Sequence, residues 1–216
     1  MNAKPEDREE RHRDRGVDAH HGHGAKQPRA FDPERAAILD EPERFDYLPP
    51  ARIFALLEAP AASLVVDFGT GTGAFAIPLA ESRPDLTVIA LDREERMLAL
   101  LRGKPAAQRL DNLRPMLTGE MAALAASADR ILAVNVLHEL DEEALRQMAG
   151  LLKPQGFILF VDWDGAVERP VGPPGAHVYT AAEAVLRLAS FGLRAEPLAA
   201  LSYHFVLRAG RAEGPF

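Results

Sequence analysis

The ten residues Val65-Val66-Asp67-Phe68-Gly69-Thr70-Gly71-Thr72-Gly73-Ala74 constrain the fold more tightly than any other stretch of the chain. An apolar run ending in an acid reads as a buried strand, and the residues from Ala74 to Glu81 read as a helix. Between them, glycines at alternate positions predict a turn too sharp for residues that carry a Cβ. A helix leaving such a turn aims its free N–H groups at whatever sits on the glycines. Strand, glycine turn and helix together describe a loop that cradles a nucleotide cofactor.

The rest of the chain repeats the alternation. Strands are expected at Ser63–Phe68, Thr87–Leu91, Asn112–Leu117, Arg130–Val136, Phe157–Val161, Leu193–Pro197 and Leu201–Leu207. Helices are expected at Ala74–Glu81, Glu94–Arg102, Glu142–Leu152 and Ala181–Phe191, with Lys153-Pro154-Gln155-Gly156 and Gly192 as stop signals. Short, continuously apolar strands separated by helices imply a parallel sheet covered on both faces. The last two strands are joined by too few residues for a crossover and must pair antiparallel. The expected fold is therefore α/β: a Rossmann-like doubly wound sheet of seven strands, mostly parallel, with an antiparallel C-terminal hairpin. Ligands in such sheets bind outside the carboxyl ends of the strands, at the switch point.

Residues 1–30 are a different material, rich in charge and holding four of the seven histidines. They have too little to bury to offset ordering and are expected to form a disordered, solvated tail, with weak metal affinity at His20-His21-Gly22-His23 as the alternative. Residues 31–216 are expected to be one domain with an N-terminal helical segment, 31–60. There, Asp32 caps a short helix opened by Pro33, and Pro49-Pro50 opens a second that carries Ile53, Phe54, Leu56 and Leu57. A net charge of −7 argues against nucleic acid as a partner. The absence of cysteine excludes thiolate metal sites and thiol nucleophiles. No apolar run is long enough to span a membrane, and the charged N-terminus lacks a signal core, so a cytoplasmic protein is expected.

The glycines alone leave the cofactor open, because Gly69 to Ala74 also fits a dinucleotide fingerprint. Asp92 follows Gly73 by 19 residues, a spacing suited to a ribose-binding acid for either cofactor. Charge separates the two. Asp67 lies two residues before the first glycine, where it would repel a pyrophosphate and attract a cation. S-adenosylmethionine carries an ammonium and a sulfonium. Either acid could instead cap the helix that follows it.

This constellation resembles motif I, D-x-G-x-G-x-G, of the class I S-adenosylmethionine-dependent methyltransferases. Leu91-Asp92 is similar to their second motif, and Glu120-Met-Ala-Ala-Leu124 to the element after strand three, where the family more often has Asp. Asp129 through Leu140 is similar to strand four and its exit loop, and Leu151 through Phe157 to the turn before strand five. Phe31-Asp-Pro-Glu with Pro42-Glu-Arg44 resembles the opening of the quinone-biosynthesis-like (UbiE-type, type 11) subgroup. The resemblance, over about residues 31–209, implies roles for particular positions. Asp67, Gly69, Thr70, Gly71 and Gly73 would hold the methionine and ribose parts, and Asp92 the ribose hydroxyls. Arg93 and Met97 would border the adenine, although Met97 could equally be core. Glu120 would meet the adenine amino group. Asn135 and His138 would line the methionine end and face the acceptor.

Methyl transfer needs alignment more than acid–base help, because the sulfonium already activates the carbon. A base is required only where the acceptor must lose a proton. His138, at the mouth of strand four, is the candidate base, and bridging the Asp141 turn is its structural alternative. Asp162, Trp163 and Asp164 end strand five and could floor the acceptor pocket, or Asp162 could merely end the strand; the stiff loop Pro170–His177 could wall the acceptor or merely connect. His204 reads as structural. Asn135-Val-Leu-His stands where amino-methylating enzymes for adenine or glutamine have Asn-Pro-Pro-Tyr, and no metal is called for. The expected activity is methyl transfer from S-adenosylmethionine to a small-molecule acceptor, at oxygen or carbon rather than nitrogen. The alternatives are a nicotinamide-dependent oxidoreductase on the same topology and a non-catalytic regulatory protein that binds S-adenosylmethionine.

Overall fold

A computed structural model describes residues 31–212; the expected tail and its interrupted histidine run lie outside the described residues. One seven-stranded sheet organises the chain. Its strands are β1 (Leu64–Phe68), β2 (Thr87–Asp92), β3 (Leu113–Leu117), β4 (Ala128–Val134), β5 (Leu152–Trp163), β6 (Leu193–Ala200) and β7 (His204–Arg211). They lie in the order β3-β2-β1-β4-β5-β7-β6. The first five are parallel, and β7 enters antiparallel between β5 and β6. The chain winds outward from β1 to the β3 edge, then returns to lay β4 on the other side of β1. The crevice at that reversal is where a doubly wound sheet binds its ligand.

Successive residues of each central strand bury against opposite layers. Val66, Ile89, Ile131, Ile158 and Phe160 face a core that includes Leu145 and Met148 of α5 (Glu142–Leu151) and Leu188 of α6 (Ala181–Ala189). Val65, Val88, Leu132, Leu159 and Val161 face Ile53 and Leu57 of α2 (Pro50–Leu57) and Leu79 of α3 (Ala76–Ser82). Two buried faces explain the unbroken apolar runs. Pro115 is tolerated in β3 because that strand is an edge.

Three details depart from expectation. Lys153-Pro154-Gln155-Gly156 is no stop turn: α5 gives way directly to extended backbone at Leu152, and β5 runs through all four residues. Gly156 is needed there for proximity, since a Cβ would lie 2.8 Å from the Ala128 carbonyl oxygen. Strand β4 stops at Val134, not Val136, because Asn135 turns to a left-handed φ of 58°. An extra short helix, α1 (Arg44–Tyr47), lies between the two anticipated N-terminal helices. The remaining helix, α4 (Glu95–Gly103), follows β2 as expected.

Candidate functional site

The carboxyl ends of β1, β2, β4 and β5 open into one region. Its floor is the glycine loop. Gly69 (φ +73°) and Gly71 (φ +56°) adopt conformations that residues with a Cβ resist. A Cβ on Gly69 would lie 2.5 Å from Val136 Cγ1, and one on Gly71 would lie 2.9 Å from Leu39 Cδ1. The loop is sewn to β2 by Gly69 and Thr70 N–H groups that donate to the Leu91 carbonyl at 2.8 and 3.0 Å.

Both acids are buried and both brace this loop. Asp67 Oδ2 accepts from Thr70 Oγ1 at 2.7 Å. Burial, reinforced by the charge of Asp92, pushes the Asp67 carboxyl up to about 6 against the Thr70 hydrogen bond and the positive field of Arg44. Asp92 Oδ2 accepts from Gly71 N at 2.7 Å, and its Oδ1 accepts from Glu94 N at 2.9 Å in the turn that precedes α4. Burial also raises Asp92, against those backbone donors. Each Asp92 oxygen retains a lone pair for a hydroxyl donor.

The exit of β4 supplies the second half. Val134 pairs with Val161 in the parallel register, which sets the residues after β4 beside the end of β5. Asn135 N donates to the Val161 carbonyl at 2.8 Å, while its side-chain Oδ1 is buried with no hydrogen-bond partner among the described residues. His138 Nδ1 lies 2.8 Å from Asp162 Oδ1, and its backbone N–H donates to Asp162 Oδ2 at 3.2 Å. A carboxylate can only accept, so Nδ1 carries the proton and Nε2 is left as the basic nitrogen. Burial disfavours the imidazolium, but the charge and hydrogen bond of Asp162, with Glu139, outweigh it and hold the His138 pKa above its usual value. Asp141, considered as a partner for His138, instead caps α5 through Ala144 N at 2.8 Å.

An N-terminal strap crosses the glycine loop. Asp40 Oδ1 accepts from Thr72 Oγ1 at 2.8 Å and from Lys104 Nζ at 2.7 Å, and that ammonium also donates to the Thr72 carbonyl. Phe31 N donates to Glu139 Oε2 at 2.9 Å, beside His138. From α1, Arg44 and Tyr47 reach inward. Tyr47 stacks on His204, which lies 4.1 Å, centroid to centroid, from the Trp163 ring. Arg169 Nη2 donates to the Pro173 carbonyl, and its Nη1 to those of Asp164 and Val167, fastening the Pro170–His177 loop across the Trp163 ring.

Residues 65–156 match a family model described as a methyltransferase domain. A SAM-dependent methyltransferase from Aquifex aeolicus superposes with a TM-score of 0.76 at 26% identity, covering 83% of this chain and 98% of that one. Residues 65–156 are thus similar to a methyltransferase domain, on a fold shared with an S-adenosylmethionine-dependent methyltransferase. Two further structures share the fold. One is a putative type 11 methyltransferase from Sulfolobus solfataricus, with a TM-score of 0.60 at 22% identity over 82% of this chain and 97% of that one. The other is DhpI in its SAH complex, with a TM-score of 0.63 at 18% identity over 85% and 94%.

The positions expected from the sequence fall into two groups. Asp67, Gly69, Thr70, Gly71, Gly73 and Asp92 form one hydrogen-bonded unit, with Gly73 N donating to the Thr70 carbonyl at 3.0 Å. Asn135 and His138 adjoin it at the β4 exit. Arg93 follows Asp92 directly, and its charge acts on both Asp92 and Glu139. Arg93 is exposed beside Glu94, and Met97 is buried on α4. The exposed Glu120 accepts from its own Leu117 N at 3.3 Å. Three further residues matter to the site. The sequence places Asp162 at the end of strand five as floor or strand end without pairing it to His138, assigns Glu139 no role, and places Arg44 within a charged opening segment. The one sequence signal for Arg44 was its place between Pro42 and the apolar Phe45, Tyr47 and Leu48, where a buried cation is uncommon.

Proposed function

We propose that this chain transfers a methyl group from S-adenosylmethionine to a small-molecule acceptor, at an oxygen or carbon that gives up a proton. The observation that carries this reading is the His138–Asp162 pair, set beside a glycine loop flanked by two buried acids. When bound, S-adenosylmethionine supplies an electrophilic methyl on sulfonium sulfur. The chain's own features fit such a molecule: the orphaned Asn135 Oδ1 can accept from an ammonium, Asp67 adds negative charge, and Asp92 can take ribose hydroxyls. Met97, Arg93 and Glu120 are assigned to the adenine side by family resemblance. When bound, the cofactor would give up its methyl with cleavage of the carbon–sulfur bond and leave as the neutral thioether, while His138 Nε2 would take the proton that the acceptor gives up. Asp162 then stabilises the imidazolium so formed. The unit is one domain, residues 31–216, with the helical segment 31–60 covering the loop. Among the described residues no helix is long and apolar enough to cross a membrane, and we assign the protein to the cytoplasm.

Calorimetric titration with S-adenosylhomocysteine and, separately, NADH tests the cofactor. Tight thioether binding without NADH binding is expected, and the reverse refutes the reading in favour of an oxidoreductase. Incubating cell extract with methyl-labelled cofactor should then yield a labelled small product that His138→Gln fails to make. Binding with no transfer would favour the regulatory alternative.

A further inference from the structure

Arg44 is a buried cation with no carboxylate partner among the described residues. It is only 8% exposed, with its guanidinium 5.4 Å from the centroid of the Phe75 ring. Nη1 donates to the Leu39 carbonyl at 2.9 Å, and among the described residues the guanidinium has no other hydrogen bond and no ion pair. Burial disfavours its charge, and the fields of Tyr47, Asp40 and Asp67 only partly offset that cost. A buried cation left without a partner weakens a fold, so its retention asks for an explanation.

Its surroundings supply one. Leu39, which takes the Nη1 hydrogen bond, is the side chain lying against Gly71, and Phe75 leaves the same loop two residues after Gly73. Asp67 at the end of β1 and His204 at the start of β7 both feel the Arg44 charge. The guanidinium therefore sits over the carboxyl ends of the central strands, beside the glycine turn. An amino-acid moiety bound here needs acceptors for its ammonium and a cation for its carboxylate. Asp67 and Asn135 Oδ1 are the acceptors. Other nearby cations are held elsewhere: Lys104 by Asp40 and Thr72, and Arg169 on the Trp163 ring with Nη1 and Nη2 donating to the carbonyls of Asp164, Val167 and Pro173, which leaves only its Nε without a partner among the described residues. Arg93 and Arg96 lie exposed beside Glu94 and Glu34.

We propose that Arg44 is the carboxylate receptor of the site, binding the α-carboxylate of the cofactor's methionine half opposite Asp67 and Asn135. The inference rests on the cofactor reading above. It makes Arg44 a determinant of cofactor choice: the site reads a zwitterion, not merely an adenosine.

The test is calorimetry with two probes, S-adenosylhomocysteine and its decarboxylated analogue, which keeps the amine. Each is titrated into the wild-type chain, Arg44→Gln and Arg44→Lys, with circular dichroism and thermal melts to confirm folding. The wild type should bind the decarboxylated probe about 10- to 100-fold more weakly, the range for a charge-assisted hydrogen bond. Arg44→Gln should lose a similar factor for S-adenosylhomocysteine and bind both probes alike, with Arg44→Lys between. An Arg44→Gln variant that keeps wild-type affinity for S-adenosylhomocysteine overturns the proposal, even if its acceptor KM rises, because the carboxylate would then belong to the acceptor. Equal losses for both probes overturn it as well, marking Arg44 as structural. Failure of the wild type to bind S-adenosylhomocysteine would overturn the cofactor reading along with it, so the two failures are told apart.

Discussion

Replacing Asp67 with Asn should stabilise the free protein while weakening the site. Asp67 is 3% exposed, and its carboxyl is raised from 3.8 to about 6. The folded state therefore binds the proton more tightly than the unfolded state, and stability falls as pH rises from about 4 to 6. That rise corresponds to about 3 kcal/mol held against the fold at neutral pH. Asn keeps an oxygen to accept from Thr70 Oγ1 but carries no charge, and the stronger bond that Thr70 makes to the carboxylate is already contained in the raised pKa. The net expectation is a gain of about 3 kcal/mol at pH 7.5, shrinking to nothing near pH 4, where both folded side chains are neutral. Urea denaturation of both proteins from pH 3.5 to 8 measures this directly. Using the difference between the two curves removes the contributions of Asp92, Glu139 and the histidines. Curves that stay parallel across the window would refute the reasoning, since the penalty would then not belong to this carboxylate. The same variant should bind S-adenosylhomocysteine more weakly than the wild type, because the ammonium loses its negative neighbour.

Other perturbations follow from the same geometry. Asp162→Asn removes the charge that holds the His138 pKa up, so the basic form of His138 should appear at lower pH; the rising limb of the rate–pH profile should move to lower pH as kcat falls about 100-fold. Gly71→Ala puts a Cβ on a backbone at φ +56°, 2.9 Å from Leu39 Cδ1. It should cost about 1–2 kcal/mol, read as a lower melting temperature. Asp40→Ala releases both Thr72 and Lys104 from the strap, and amide hydrogen exchange should rise in residues 33–47 more than in the sheet.

The sheet was legible because its strands are covered on both faces, which turns burial into continuous apolar runs that a sequence displays directly. The glycine loop was legible because left-handed turns demand glycine. What the sequence hid were pairings made by register. Asp162 lies 24 residues from His138, and only the Val134–Val161 alignment of β4 with β5 brings them together. Gly156 was misread for a related reason: glycine serves both left-handed turns and close backbone approach, and local sequence does not distinguish them. Arg44 was hidden because a charged residue in a charged segment reads as solvated. Its burial depends on α1 folding back over a loop formed by residues some thirty positions later.

His204 bears an opposite pH signature to Asp67. Its imidazole is 1% exposed, stacked on Tyr47 and tilted against Trp163, and neither ring nitrogen has a hydrogen-bond partner among the described residues. Burial drives its pKa down to about 3, although Asp162 pulls it up. The folded state thus resists protonation, and stability is lost as pH falls from 6.5 toward 3, by at most about 5 kcal/mol. His204→Phe keeps a ring in the stack and removes two unpaired polar atoms. It should raise stability at pH 7 by about 1–3 kcal/mol and flatten the acid limb of a denaturation series. If the variant is instead less stable at pH 7, those nitrogens have partners, and the low pKa cannot be attributed to burial alone. If it is more stable but no longer transfers methyl groups, His204 is retained for the acceptor. That outcome would extend the active region from β4 and β5 onto β7, because a buried imidazole with unpaired nitrogens opposes stability unless a bound molecule uses them.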